Sequence, residues 1–434
     1  MIVTAILSGL TFLALTLSIL FFPTIQVGKR KIGAYWVIAL VGALLLLCLR
    51  LTPLSEIWGG LTKNTEVNPL KILVLFFSMT FLSVYLDEVG FFRLLASRAT
   101  KAAGENQFRL FLALYLLTAV LTVFTSNDII ILTLTPFLCF FCKNTKINPL
   151  PYLVSEFAVA NTWSMMLIIG NPTNIYLATS AKIGFLDYIK VMALPTIAAG
   201  AVEFFLIFLL FRKQLGKKIE PESDNFAIKS RADLVLGVFH LAVCLLFLVL
   251  SGYVHLQMWL VSAVCALSLL VSAIVLRLVK QDGGSYIKRS LVRLPWQLIP
   301  FVLSMFVIVI CLSKQGISQK LGDLLGDRAS VWTYGASSFL FANLINNIPM
   351  SILFSTLPEN LPPMQYSQAI YASIAGSNIG AFLTPIGALA GIMFTGLTEH
   401  YQVKYGFKQF LKYGAIIALP TFATTLAVLS LILK

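Results

Sequence analysis

Asp128 lies in the stretch TSNDIIILTLTP (125–136), between the apolar runs FRLFLALYLLTAVLTVF and IIILTLTPFLCFFC. A charge at the middle of a bilayer costs roughly 2.5–3.5 kcal/mol on insertion scales, so it needs a partner or a task. No Lys or Arg falls in the core of an apolar segment to neutralise it. Its remaining states are a protonated acid, a carboxylate holding a cation, or one hydrated in a cavity. Cycling among them would couple a proton or sodium gradient to a cargo. The rival reading is an N-cap for the helix that follows. Glu203, in PTIAAGAVEFFLIFLLF, is a second coupling candidate, or else a buried, protonated, hydrogen-bonded carboxyl. Glu156, Asp87 and Glu88 fall at segment ends, where a wetted boundary accounts for them.

Four polar interruptions share this character: Ser126-Asn127-Asp128, Gly170-Asn171-Pro172-Thr173-Asn174, Asn346-Asn347 and Thr384-Pro385-Ile386-Gly387. Pro172 and Pro385 remove a backbone donor, and Gly170 and Gly387 permit conformations that other residues avoid. A helix broken in a bilayer is tolerated only where protein or a water-filled cavity satisfies the freed backbone. Its electropositive and electronegative ends can hold an ion without formal charge. Two hairpin tips and two broken helices facing one another would enclose one polar cavity, a transport site. The alternative is that these residues only pack helices and bond between them.

The elements that must position these groups follow from composition. Apolar residues make up 58% of the 434 and charged ones 12%, with a mean hydropathy of +0.89. A soluble chain carries about twice that charge. Apolar segments long enough to cross ~30 Å of hydrocarbon recur throughout, without the alternation of membrane strands. The expected fold is an all-α polytopic membrane protein with about ten crossings, near 2–22, 33–52, 70–89, 152–180, 190–212, 233–252, 256–278, 296–313, 366–398 and 412–433. Two hairpins, 108–143 and 330–358, are read as re-entrant or as pairs of full spans. The first segment lacks a basic leader and a cleavage site and reads as a retained span.

Assigning Lys and Arg to alternate sides puts 23 of the 32 on one face, which the positive-inside rule makes cytoplasmic, with both termini outside. The +14 net charge thus calls for no nucleic-acid partner. The six cysteines all lie in apolar segments; Cys139 and Cys142 have C-x-x-C spacing, but no second pair completes a metal site. His240, His255 and His400 show no ligand spacing, and neither HExxH nor a Ser/His pair at one depth supports an enzyme.

The halves match in order. FSMTFLSVYLDEVG (77–90) aligns with LSMFVIVICLSKQG (303–316), GFLDYIK (184–190) with GFKQFLK (406–412), and ALPT recurs at 193–196 and 418–421. Asn161 pairs with Asn378 and Gly170 with Gly387. Five crossings separate the starts of the copies, so the second is inverted, the architecture of alternating-access carriers. The divisions are scaffold helices at 1–69, repeat one at 70–213, a cytoplasmic linker with two helices at 214–295, and repeat two at 296–434. A passive channel would not need this symmetry.

SNDIIILTLTP followed by GNPTN, and LINNIP followed by GSN and TPIGALAG, resemble the ion transporter superfamily, which includes sodium/proton antiporters and citrate and dicarboxylate carriers. The likeness is greatest to the arsenite efflux permeases, with Asn-Asp in the first hairpin and Asn-Asn-x-Pro in the second. The dicarboxylate branch has Ser-Asn-Thr at both tips; this chain does not. The resemblance implies re-entrant hairpins, a homodimer in related branches, and binding of substrate and ion by Ser126, Asn127, Asn171, Thr173, Asn174, Asn346, Asn347, Asn378 and Thr384. Asp128 would join them. The expected activity is proton-coupled efflux of arsenite or antimonite at the inner or plasma membrane, with no cofactor beyond H+ or Na+. The alternatives are a sodium- or proton-coupled symporter of a carboxylate or other small anion, and a sodium/proton antiporter. Arsenite would enter as a neutral hydroxide held by oxygens and amides, since a trap of thiols would not release it.

Overall fold

Inside hydrocarbon each backbone N–H and C=O must be bonded within its own segment, and the chain meets that demand almost entirely with helices. The computed structural model describes all residues except 23, 28–29, 63–67, 220–226, 255, 281–285 and 358–359. Lys29, Lys63, His255 and the middle of the linker therefore lie outside the described residues.

The chain opens with α1 (Ile2–Phe21), then β1 (Thr24–Val27) paired antiparallel with β2 (Arg30–Gly33), α2 (Ala34–Cys48) and α3 (Leu54–Thr62). A run of seven helices follows: α4 (Pro69–Val89), α5 (Phe91–Ala103), α6 (Gln107–Phe124), α7 (Asn127–Asn144), α8 (Leu150–Trp163), α9 (Pro172–Ser180) and α10 (Phe185–Leu215). Next come α11 (Arg231–Val254), α12 (Met258–Lys280) and α13 (Tyr286–Arg293). The final seven are α14 (Leu298–Lys314), α15 (Ile317–Leu325), α16 (Ser330–Ile345), α17 (Asn347–Phe354), α18 (Pro363–Gly380), α19 (Leu389–His400) and α20 (Phe407–Ile432).

The order α4 to α10 recurs as α14 to α20. In both sets of seven a left-handed glycine closes off the first long helix, Gly90 (φ 94°) directly after α4 and Gly316 (φ 72°) just past Gln315, the C-cap of α14, a conformation that costs other residues energy. Both last helices carry an internal proline, Pro195 and Pro420. Packing follows the same correspondence. α6 lies on α8 as α16 lies on α18, and the two sets exchange partners: α7 packs on α19, and α17 on α9. At the α16–α18 contact a Cβ on Gly376 would run into Ser338, so the close approach requires glycine there.

Eight helices among the described residues are long and apolar enough to cross a bilayer. Ten crossings are expected from the apolar segments, and the difference is local. Segment 33–52 yields a 15-residue α2. Segments 152–180 and 366–398 each divide in two, while α6, read as a hairpin arm, is itself long enough. The eight residues of α17 rise only about 12 Å, far short of a crossing. α3, α5, α13, α15 and the β-hairpin lie outside the expected spans and hairpins or at their edges. α8 and α18 are buried along most of their length, whereas α11 and α12 expose Val235, Phe239, Leu267 and Val271, an apolar rim suited to lipid.

Candidate functional site

α8 ends at Trp163, and two 3-10 turns, Ser164–Met166 and Ile168–Gly170, lead into α9. The turn closes tightly: a Cβ on Gly170 would overlap the carbonyl of Ser164. Pro172 occupies the first turn of α9, where its missing N–H is no loss, and the Asn171 side chain caps the helix by accepting from Thr173 N at 3.1 Å. The second break runs from Gly380 to Leu389 and contains Thr384, Pro385 and Gly387. Gly387 lies against Ala381, where a Cβ would come within 2.8 Å of its Cα.

The two breaks are joined through Asn378. Its Oδ1 accepts from Ser164 Oγ (2.7 Å) and Asn171 Nδ2 (3.0 Å), and its Nδ2 donates to Asn174 Oδ1 (2.6 Å) and Ile374 O (2.8 Å). Asn174 donates to Ser164 O and Leu167 O, and Ser377 Oγ donates to Thr173 Oγ1 at 2.7 Å. All these residues are fully or almost fully buried. An amide has two donors and two acceptor positions, so Asn378 has none left for a cargo in this conformation. Four predicted residues, Asn171, Thr173, Asn174 and Asn378, are thus brought together as a clasp between the broken helices.

The hairpin tips differ from the clasp in having spare polar groups. At the first, Asn127 Nδ2 donates to Asn161 Oδ1 (3.1 Å), while the buried Ser126 hydroxyl has no partner among the described residues. Asp128 sits within the first turn of α7, where Ser126 is the capping position, so its carboxylate is not the N-cap. It is half-buried; its backbone N–H donates to Asn127 Oδ1 (2.9 Å), and no described residue hydrogen-bonds or ion-pairs with its carboxylate. A negative group there is favoured by the helix dipole.

At the second tip, Asn346 adopts φ 74° and ψ 153°, a region almost confined to glycine. Its side chain holds the turn, donating to Ile386 O (2.9 Å) and accepting from Ile348 N (3.3 Å), and Asn347 N donates to Gly387 O (3.0 Å). The Asn347 side chain is buried and has no hydrogen bond to a described residue. Thr384 donates to Asn343 Oδ1 at 2.7 Å. Each tip is therefore fastened to the polar cluster beside it and leaves a few groups unsatisfied.

Several of these partners were not singled out from sequence. Ser164, Ser377 and Asn343 read as ordinary small or polar residues of their segments; only their nearness to the marked Asn residues signals them. Glu156 departs from the boundary reading: it is 2% exposed, and the buried Thr135 hydroxyl lies 2.9 and 3.0 Å from its two oxygens. The cause is α7, which covers that face of α8. Asp87 and Glu88 are likewise held in ion pairs with Arg293 and Arg289 rather than simply wetted. Glu203 is fully buried on α10 with the Thr162 hydroxyl of α8 facing it, and among the described residues no bond ties it to the tips or breaks. All six cysteines are free, with Cys139 and Cys142 buried, and no group of three metal-ligating side chains occurs among the described residues.

Residues 29–376 match the family model described as citrate transporter. An arsenical pump membrane protein of Escherichia coli is 25% identical over 446 residues, covering 98% of each chain. One from Yersinia enterocolitica is 28% identical over 376 residues, covering 82% of this chain and 85% of its own. Among solved structures, the YdaH transporter of Alcanivorax borkumensis superposes with a TM-score of 0.52 over 99% of this chain and 97% of its own, at 17% identity. That likeness concerns the fold.

Proposed function

The chain belongs to the citrate transporter family, an integral membrane transporter and not an enzyme, and on that premise we propose that it exports arsenite or antimonite from the cell in exchange for protons. The observation that carries this reading is the chemistry of the unsatisfied groups. Ser126 and Asn347 offer a hydroxyl and an amide, Asp128 is the acid of the first tip, and no Lys or Arg belongs to either tip. Neutral donors and acceptors suit a neutral trihydroxide; a di- or trivalent carboxylate would call for cations or a more electropositive lining. The near full-length relatives named arsenical pumps support the same cargo.

Asp128 carries the coupling proton in this proposal, with Glu203 as the second candidate. The clasp of Asn171, Thr173, Asn174 and Asn378 ties the broken helices into one body that moves with the tips. The two sets of seven helices are inverted repeats about an axis in the membrane plane, and the protein resides in the cell membrane with both termini outside. The family description favours a second reading, symport of an organic anion. Everted vesicles separate them: arsenite accumulation driven by an imposed proton gradient supports export, whereas sodium-stimulated citrate uptake without arsenite transport refutes it.

A further inference from the structure

Each set of seven helices is preceded by a short amphipathic helix that reaches the other set. α3 packs on α14, and α13 packs on α4. Both contacts are made at the C-terminal end of the long helix and both are ionic. Glu56 of α3 meets Lys314 at 3.1 Å. Arg293 of α13 meets Asp87 at 2.7 Å and Glu88 at 2.7 Å, and Arg289 meets Glu88 at 2.6 Å. In the repeat alignment Lys314 falls on Glu88, so the contacts are counterparts with the charges reversed.

The two ends are not in the same state. The side chains of Asp87 and Glu88 are 9% and 11% exposed, while those of Glu56 and Lys314 are 41% and 54% exposed. Beside the Glu56–Lys314 pair a cavity of about 460 Å3 runs between α3 and α14 on one side and α9 and α17 on the other. Tyr176, Phe306, Ser355 and Thr356 line it. It therefore separates a broken helix and a hairpin, the elements of the site, from the helix beside them. Between Lys314 and Phe306 it follows α14 for about 12 Å.

We infer that these ion pairs are the two gates of the transporter, and that the structure is the conformer in which the Arg289/Arg293 gate is shut and the cavity at Glu56–Lys314 is the open route for the small hydroxide. This rests on the carrier reading above. The gate's carboxylates have the geometry to matter: the little-exposed Asp87 and Glu88 are held by the guanidiniums of Arg293 and Arg289, which are 33% and 51% exposed, and so fasten α4 to α13, and Thr133 of the first hairpin also faces Asp87. Opening that end must part these charges and hydrate them, while the exposed Glu56–Lys314 pair is screened by water and holds little. Alternating access then consists of exchanging which end is clamped.

The test needs no cargo. Thr356→Cys is introduced with the exposed Cys48 changed to Ala, and a membrane-impermeant thiol reagent is applied to either face of the membrane. Labelling is expected from one face only. Arg289→Ala with Arg293→Ala should slow it at least threefold as molecules pass to the opposite conformer, and Lys314→Ala should not slow it. Arg289→Lys with Arg293→Lys, which keeps both positive charges against Asp87 and Glu88, should leave the rate near that of the unaltered gate. Unchanged labelling in the Arg289/Arg293 alanine variant, or labelling slowed just as much in a lysine variant that folds and inserts, overturns the gates. If the labelling behaves as expected while arsenite is not moved, the gates stand and the cargo assignment alone fails.

Discussion

Asn161 and Asn378 occupy matching turns of α8 and α18, and each donates its amide to the carbonyl four residues back, Phe157 and Ile374, at 2.8 Å. That shared bond turns both Oδ1 atoms outward from their helices. Asn161 Oδ1 receives the hairpin-tip residue Asn127, and Asn378 Oδ1 receives Asn171 and Ser164 from the other broken helix. One orientation thus serves two purposes, fastening a tip in one half and fastening break to break in the other.

Asn378→Asp should destabilise the protein as severely as Asn378→Ala. The new oxygen would face Asn174 Oδ1 and Ile374 O, both acceptors, in a buried setting. Each orphaned buried group costs about 1–3 kcal/mol. Thermal unfolding of the purified protein in detergent should show a large drop for both variants. Wild-type melting of Asn378→Asp would show that the clasp is not structural.

Asn346 and Asn347 are adjacent, yet their substitutions should behave oppositely. Asn347→Ala removes a buried side chain without a bond to a described residue, so unfolding should shift by less than the roughly 1–3 kcal/mol that orphaning a bonded buried group costs, while transport falls at least tenfold. Asn346→Ala loses two hydrogen bonds and keeps the strained backbone, whereas Asn346→Gly relieves that strain. Glycine should therefore be the more stable variant by roughly 1–3 kcal/mol. Equal stability of the two would mean that the backbone there is unstrained in solution.

Membrane character, the hairpins and the breaks were legible because each has an uninterrupted signature: long apolar runs, and Asn, Gly and Pro where those runs must stop. What the polar residues do to one another was less legible. Asn171, Asn174, Asn347 and Asn378 look alike in sequence, but three are bonded to one another or to their neighbours in the clasp and one has no side-chain bond to a described residue. Glu156 shows the same limit. Its place near a segment start suggested water, yet the hairpin helix that covers it comes from the preceding element. The amphipathic α3 and α13 were passed over because they are too short and too polar to register as spans.

Asp128→Asn should abolish uphill accumulation driven by a proton gradient in everted vesicles while leaving exchange down a cargo gradient measurable. The substitution keeps the size of the side chain and removes a group that bonds to no described residue, so folding should change little. Undiminished proton-driven accumulation in the variant would move coupling to Glu203.

Thr135 and Glu156 should show a strong pairwise coupling. Thr135→Val leaves a buried carboxyl without its hydroxyl neighbour and should cost about 1–3 kcal/mol. Glu156→Leu leaves the Thr135 hydroxyl without that partner but also removes the desolvated acid, so its cost should be smaller. The double variant replaces both polar groups by apolar ones and should recover much of the loss, because two satisfied polar partners exchanged for well-packed carbon change stability little. A double-mutant cycle on the unfolding free energies measures this directly. Additive losses, with no recovery in the double variant, would mean that Glu156 is sustained by something other than Thr135.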